Sequence, residues 1–169
     1  MELGCGNGRD AYYFASRGHL VSACDQSDVI INALPNVGEN SPHFFVDNLR
    51  NMTPRPNETF DVVYARFVLH ALSDDEAQQA FKWTFDHLKS GGKFYSESRS
   101  IKDPIFGDGE KVDEHIYKTD HRRRFLVKKD LLSDLESLGF TIYQVVEDQG
   151  LAVQKDSDPV VIRVIAYKP

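Results

Sequence analysis

The sequence has few cysteines, an excess of acidic over basic residues and no long apolar run, and each of these features argues against a class of protein. Its two cysteines, Cys5 and Cys24, cannot build a disulfide framework and lack the pair spacing of a metal site. Lysine and arginine total 20 against 26 acidic residues, and the net charge of −6 disfavours nucleic acid as the main partner. No apolar run approaches about 18 residues, and no secretory signal pattern opens the chain. We therefore expect a cytoplasmic protein with neither a membrane partner nor a metal.

What is present is typical of one globular domain. The chain has 169 residues, of which 41% are hydrophobic and 27% charged, so residues 1–169 can form a single core. Short apolar runs alternate with helical patterns, which predicts an α/β domain with a mostly parallel sheet. The predicted strands are 1–3, 20–25, 44–46, 60–65, 93–98, 140–146 and 160–167. The predicted helices are 10–17, 27–34, 73–90 and 128–138, and the stretches 48–58, 100–124 and 147–158 are expected to be irregular.

A glycine-rich turn directly follows the first strand. Gly4, Gly6 and Gly8 alternate with other residues and lead into a helix. Glycine allows the backbone to approach a ligand closely. Glu2 precedes the turn, and its carboxylate would repel a diphosphate and attract a cationic or amine-bearing ligand. The spacing G-x-G-x-G also fits the dinucleotide fingerprint G-x-G-x-x-G poorly.

Polar residues end the next three strands. Asp25 closes the second strand, where a carboxylate can accept hydrogen bonds from a vicinal diol such as ribose. Asp47 and Asn48 close the third strand and could recognise an adenine amino group, while Arg66 follows the fourth. Open α/β sheets bind ligands at this carboxyl edge. We therefore expect Gly6, Asp25 and Asp47 to share one crevice.

These segments together resemble the class I S-adenosylmethionine-dependent methyltransferases. The stretches that carry the resemblance are ELGCGNGRD, ACDQS, FDVVYARFVLHAL, GGKFYSES and FLVKKDLLSDLESLGF. The similarity is greatest to the small-molecule branch that includes tellurite-resistance and thiopurine-type enzymes. It implies a Rossmann-like doubly wound α/β sheet of seven strands with the last strand antiparallel, and S-adenosylmethionine as the cofactor.

The resemblance also implies roles for individual residues. The glycines would line the methionine part of the cofactor with Glu2 near its amino end, Asp25 would hold the ribose, and Asp47 with Asn48 the adenine. Ala65 and Arg66 would close over the sulfonium side. The cofactor-binding residues are thus predicted to be Glu2, Gly4, Gly6, Gly8, Asp25, Gln26, Asp47, Asn48, Ala65 and Arg66.

The chain departs from the family at its beginning. Met1 stands almost at the glycine turn, so we expect a truncated first strand and no N-terminal lid over the cofactor. A trimmed form, parts supplied by another segment, and a homodimer are all compatible with this pattern.

The leading hypothesis is methyl transfer to a small-molecule acceptor. Attack on an activated methyl group needs mainly alignment and exclusion of water, and a base helps when the acceptor is a hydroxyl or an amine. The predicted catalytic candidates are His70, Glu97, His115 and His121, and the predicted substrate-binding residues are Tyr117 and Arg124.

Other readings of the same residues stay open. A truncated or degenerate module could act by binding or self-association without catalysis, whereas a nucleotide-dependent oxidoreductase is disfavoured by the glycine spacing. Asp25 could serve as a helix N-terminal charge, and His70 could be structural. The arginine run 122–124 could be a solvated face or could hold an anionic substrate.

Overall fold

The computed structural model describes residues 1–53, 55, 57–154 and 157–169. The strands are β1 (Glu2–Leu3), β2 (Ser22–Asp25), β3 (His43–Val46), β4 (Phe60–Arg66), β5 (Leu88–Arg99), β6 (Glu110–Asp113), β7 (Ile116–Lys118), β8 (Arg122–Arg124), β9 (Thr141–Asp148) and β10 (Val161–Tyr167). The helices are α1 (Arg9–Ser16), α2 (Asp28–Ala33), α3 (Asp74–His87) and α4 (Lys128–Ser137). None of the helices in these described ranges is long and apolar enough to cross a membrane.

Seven strands form the main sheet in the order β3-β2-β1-β4-β5-β10-β9. The pairs from β3 to β5 are parallel, and β10 runs antiparallel to both β5 and β9. This arrangement confirms the predicted α/β fold with an antiparallel last strand. The short β1 pairs with β2 on one side and β4 on the other, so the glycine turn leaves the sheet between them.

Helix capping follows the local sequence. Ser27 accepts a hydrogen bond from the Ile30 amide at the start of α2. Ser73 and Glu76 form a complete capping box at the start of α3. In both caps the serine oxygen satisfies an amide that the first helical turn leaves unpaired.

The main core lies between the sheet and the helices α3 and α4. Phe81, Phe94, Leu135 and Ile162 are fully buried there. A smaller cluster, which includes Ala11 of α1, packs on the other face of the sheet. Burial of the two faces fixes the sheet, and the carboxyl ends of β1, β2 and β4 therefore meet at one edge.

Two predictions of secondary structure were wrong. Helix α3 ends at His87 rather than at residue 90, and Leu88 is instead the buried first residue of β5. The segment 100–124 is not simply irregular, because it contains the antiparallel sheet β6-β7-β8. Its strands have three or four residues, too few to show the alternation that reveals a strand. Parts of the predicted loops 48–58 and 147–158 lie outside the described residues.

Candidate functional site

The glycine turn passes close to the chain that follows β4. Gly4 has a φ of 69°, and a Cβ on it would come within 2.3 Å of a Val68 methyl carbon, so only glycine fits. Gly6 has a φ of 50°, but a Cβ there would meet no atom within 4 Å. Gly8 is the N-cap residue of α1. The turn is thus pressed against the protein at Gly4 and borders open space at Gly6.

The Asp25 carboxylate holds the turn from the neighbouring strand. It accepts hydrogen bonds from the Gly6 amide and the Ser27 amide, each at 3.0 Å. The Asp47 amide in turn donates to the Asp25 carbonyl oxygen at 3.0 Å. The structure therefore brings Gly6, Asp25 and Asp47 together at one edge of the sheet, and their sharing of one crevice stays a prediction.

The other residues near this edge bind their own loop. The buried Asp47 carboxylate accepts hydrogen bonds from the Asn48 amide and from the amide and hydroxyl of Thr53. The Asn48 side chain caps a short helical turn through the Arg50 amide. The exposed Gln26 accepts a hydrogen bond from the Arg50 guanidinium. These contacts order the loop that follows β3 in the chain.

A cavity of about 310 Å³ lies between the glycine turn and the small sheet. It is lined by Glu2, Gly4, Cys5, Asn7, Arg9, Asp10, Arg66, Phe67, His70, Arg99, His121, Arg123, Ala152, Gln154, Ser157 and Pro159. Four of these are arginines and two are acidic, although the whole chain has a net charge of −6. Across the described ranges, no group of three or more histidine, cysteine or acidic residues could hold a metal ion.

Glu2 forms the wall of this cavity beside the turn. The residue is buried, and among the described residues no donor reaches its Oε2 atom. Burial raises the pKa of Glu2 to about 7, and the nearby Asp10 carboxylate adds to the rise. A buried carboxylate oxygen without a donor favours a ligand that brings a positive charge and N–H groups.

His70 lies on the opposite wall. Burial lowers the pKa of His70 to about 4, and the neighbouring His121, Arg123 and Arg99 lower it further. The His70 imidazole is therefore neutral at pH 7 and able to accept a proton. The rings of His70 and His121 lie 6.1 Å apart between centroids.

His121 also faces the cavity, but both of its ring nitrogens are engaged. Nδ1 lies 3.0 Å from the Asp120 carboxylate, and Nε2 lies 2.8 Å from the Arg123 guanidinium. Since Arg123 can only donate, it occupies the nitrogen lone pair that a general base would use. His121 therefore fits a positioning role better than proton transfer.

The predicted catalytic candidate Glu97 lies outside this cavity. Its carboxylate is clamped between Arg66, at 2.6 Å, and Arg163. Burial raises the pKa of Glu97, and the hydrogen bond from Arg163 opposes that rise. Glu97 lines a separate groove of about 470 Å³ on the open face of the sheet. Arg66 reaches both spaces, with the fully buried Ala65 before it.

Three further candidates also lie away from the cavity. His115 occupies the turn between β6 and β7 with a φ of 59°, and Tyr117 packs on Phe106 with ring centroids 5.2 Å apart. The buried Arg124 is paired with Asp74, and burial lowers its pKa. Tyr117 therefore packs within the region of the small sheet, and Arg124 joins this sheet to α3.

Sequence reasoning missed Phe67 and Arg99, and from the arginine run 122–124 it selected Arg124 rather than the cavity-lining Arg123. Because side chains alternate along a strand, recognising β8 would have placed Arg123 on the face opposite Arg124. Arg99 is the last residue of β5, one position beyond the predicted strand. Phe67 has a φ of 50° and its ring lies within 6 Å of the Arg66 and Arg99 guanidiniums, at 5.0 and 5.9 Å. No sequence signal predicts the positive φ of Phe67.

Comparisons with known proteins agree with this fold. Residues 1–92 match a family described as "Methyltransferase domain". The tRNA N(3)-cytidine methyltransferase METTL2 of Danio rerio is 27% identical over 97% of this chain, which spans only 51% of that relative. A methyltransferase structure from Methanosarcina mazei superposes with a TM-score of 0.82 at 18% identity, covering 99% of this chain and 90% of that one. The glycopeptide N-methyltransferase MtfA complexed with S-adenosylmethionine superposes at 0.76 with 17% identity, covering 99% and 86%.

Proposed function

The chain belongs to the methyltransferase-domain family, and on that premise we propose that it transfers a methyl group from S-adenosylmethionine to a small acceptor. The observation that carries the proposal is a single cavity with the Gly4–Gly8 turn and the buried Glu2 on one wall and the neutral His70 on the other. Asp25, which holds the turn, stands at the end of the adjacent strand.

The residues of the edge fit this cofactor. The Glu2 Oε2 atom, which lacks a donor among the described residues, suits the cofactor's ammonium group. The open space at Gly6 admits a ligand against the backbone. Asp25 can accept hydrogen bonds from ribose hydroxyls with the lone pairs that Gly6 and Ser27 leave. When bound, S-adenosylmethionine supplies an electrophilic methyl group on its sulfonium sulfur.

His70 would act on the acceptor. In the proposed reaction an acceptor oxygen or nitrogen forms the bond to the methyl carbon as the carbon–sulfur bond breaks. The proton of the acceptor O–H or N–H passes to a ring nitrogen of His70, and S-adenosylhomocysteine leaves. A base that is neutral at pH 7 can perform this transfer without first losing its own proton.

The acceptor is inferred to be a small molecule, as in the tellurite-resistance and thiopurine-type branch that the motifs resemble. The net charge of −6 disfavours a polyanion. The similarity to a tRNA methyltransferase supports tRNA as the second candidate.

Release of S-adenosylhomocysteine should be measured with a panel of small hydroxyl and amine compounds and with tRNA. Cofactor binding without turnover on any acceptor would favour the non-catalytic binding module.

Binding of S-adenosylhomocysteine is expected to release about half a proton per site near pH 7, because Glu2 is then about half protonated and an ammonium partner favours its charged form. Isothermal titration in two buffers of different ionisation enthalpy measures this release. Glu2→Gln should abolish the release. Glu58→Gln, at an exposed carboxyl in the loop before β4, is the control and should preserve it. No binding to the wild-type protein would refute the cofactor assignment.

Gly6→Ala should weaken S-adenosylhomocysteine binding at least tenfold, because the new methyl group enters the space where the ligand approaches the turn. The matched control is Gly18→Ala, at a φ of 86° with equally open surroundings. Both variants carry left-handed backbone strain of about 1–2 kcal/mol, so thermal denaturation should show similar losses. An equal loss of affinity in both variants would contradict the placement of the ligand.

A further inference from the structure

We propose that Arg99 and Arg123 form an oxyanion-binding subsite for the acceptor, so that the methylated molecule carries a phosphate or carboxylate group. This inference rests on the proposed function, because it names the class of substrate that the same cavity takes. The anion would lie at the wall of the cavity opposite the glycine turn, where the small sheet meets the end of β5.

The backbone brings the two arginines to one wall. The Leu126 amide donates to the Arg99 carbonyl oxygen at 2.9 Å, and Ser100 pairs with Leu126 in an isolated bridge. The segment that leaves β8 is therefore bonded to the end of β5. Arg123, three residues before Leu126, lines the same cavity as Arg99.

Each guanidinium is held in position by neighbours. Arg99 donates to the buried Asp103 carboxylate at 2.7 Å, and Phe67 lies against its guanidinium. Arg123 is held by His121, whose other nitrogen contacts Asp120. The Arg99 and Arg123 side chains are only 18% and 17% exposed. Positioned and partly desolvated guanidiniums bind carboxylate and phosphate groups more strongly than mobile surface ones.

The electrostatic surroundings of His70 support the assignment. After burial, the largest influences on the pKa of His70 come from His121, Arg123, Arg99 and Arg124, and all of them lower it. The space beside this imidazole therefore has a positive potential within an acidic protein. An anionic acceptor entering there would lie next to the proposed base, and its charge would compensate the arginines.

The neighbouring arginine provides a matched control. Arg122 is exposed on the opposite face of β8, so Arg122→Gln removes the same charge without touching the cavity. The probes are inorganic phosphate and benzoate, titrated into protein saturated with S-adenosylhomocysteine. We expect Arg123→Gln to weaken both probes about tenfold or more, and Arg122→Gln to change them less than twofold. Arg123→Lys, which keeps the charge but loses the planar fork, should fall between them.

Binding of S-adenosylhomocysteine is measured first in each variant. If the wild-type protein does not bind it, the proposed function fails, whereas normal cofactor binding with no response to either anion overturns the subsite alone. Equal losses in Arg122→Gln and Arg123→Gln also overturn it, because they indicate general charge attraction.

A parallel titration with tRNA identifies the source of the anion. If the anion belongs to a small acid, the affinity for the probes should depend weakly on salt concentration. If it is an RNA phosphate, the affinity for tRNA should fall steeply with salt and should depend on Arg123 to a similar extent.

Discussion

Asp25→Asn is expected to weaken S-adenosylhomocysteine binding about 100-fold while the protein remains folded. The Asp25 carboxylate uses one oxygen for the Gly6 amide and the other for the Ser27 amide, each at 3.0 Å. Asparagine has a single acceptor oxygen, so its amide nitrogen would face one of these N–H groups. The turn then loses its anchor, and the proposed ribose contact loses its charged acceptor.

The size of the effect follows from the hydrogen bonds that change. A hydrogen bond to a charged group contributes about 1.5–3 kcal/mol, and about 1.4 kcal/mol corresponds to a tenfold change in affinity. Loss of the ribose contact together with displacement of the turn is therefore expected to lower the affinity for S-adenosylhomocysteine by about two orders of magnitude. Isothermal titration measures the affinity, and circular dichroism with thermal denaturation confirms the fold.

Asp28→Asn is the matched control for this experiment. Asp28 lies three residues later on the exposed first turn of α2, and its carboxylate contacts only the adjacent Val29 amide among the described residues. The same chemical change there should leave affinity within about twofold, because the surface charge is screened by solvent. If Asp25→Asn binds as tightly as the control, Asp25 does not hold the cofactor.

The part of the site that could be predicted from sequence is the part that local rules determine. Glycines with positive φ follow a strand, and Asp25 ends the next parallel strand, so both must meet at the carboxyl edge. The helix caps at Ser27 and Ser73 are likewise set by residues within four positions. Chain order and strand direction are sufficient to assemble this half of the site.

The acceptor half of the site depends on which face of its strand each side chain lies on. The sequence does not reveal this unless the first and last residues of the strand are known. A shift of one residue in β8 exchanges the buried Arg124 for the cavity-lining Arg123. Glu97 was expected to point toward the pocket, but it pairs with Arg66 and Arg163 and faces the other groove. Long-range ion pairs of this kind decide where a charged side chain lies, and no local pattern encodes them.

His70→Gln is the second change with a large expected effect, and it should lower kcat at least 100-fold with little change in S-adenosylhomocysteine affinity. Glutamine can fill the space of the imidazole but cannot accept a proton at pH 7. His19→Gln, at an exposed position after α1, removes a histidine without touching the cavity and should leave kcat unchanged. An unaltered kcat in His70→Gln would exclude His70 as the base.

The pH dependence separates a catalytic His70 from a structural one. With a pKa of about 4, His70 is already deprotonated at pH 6, so kcat should stay level from about pH 8 to pH 5 and fall below that. A bound sulfonium adds positive charge and would lower this pKa further. An inflection near the ordinary histidine pKa of about 6.5 that disappears in His70→Gln would contradict the burial of this imidazole.

The lowered pKa of His70 also predicts how the free energy of unfolding changes with pH. The direction of the change depends on whether the folded or the unfolded state binds more protons. The unfolded chain protonates His70 at a pKa of 6.5, whereas the folded protein does so only at about 4. The stabilising contribution is therefore complete above pH 6.5 and is lost as the pH falls toward 4, by about 3 kcal/mol. In denaturant titrations between these pH values, the stability of wild type relative to His70→Gln should decrease as the pH falls, because glutamine does not titrate and the variant lacks this loss. Parallel curves would show that His70 is accessible to protons in the folded state and would remove the physical basis for a base that is neutral in the cavity.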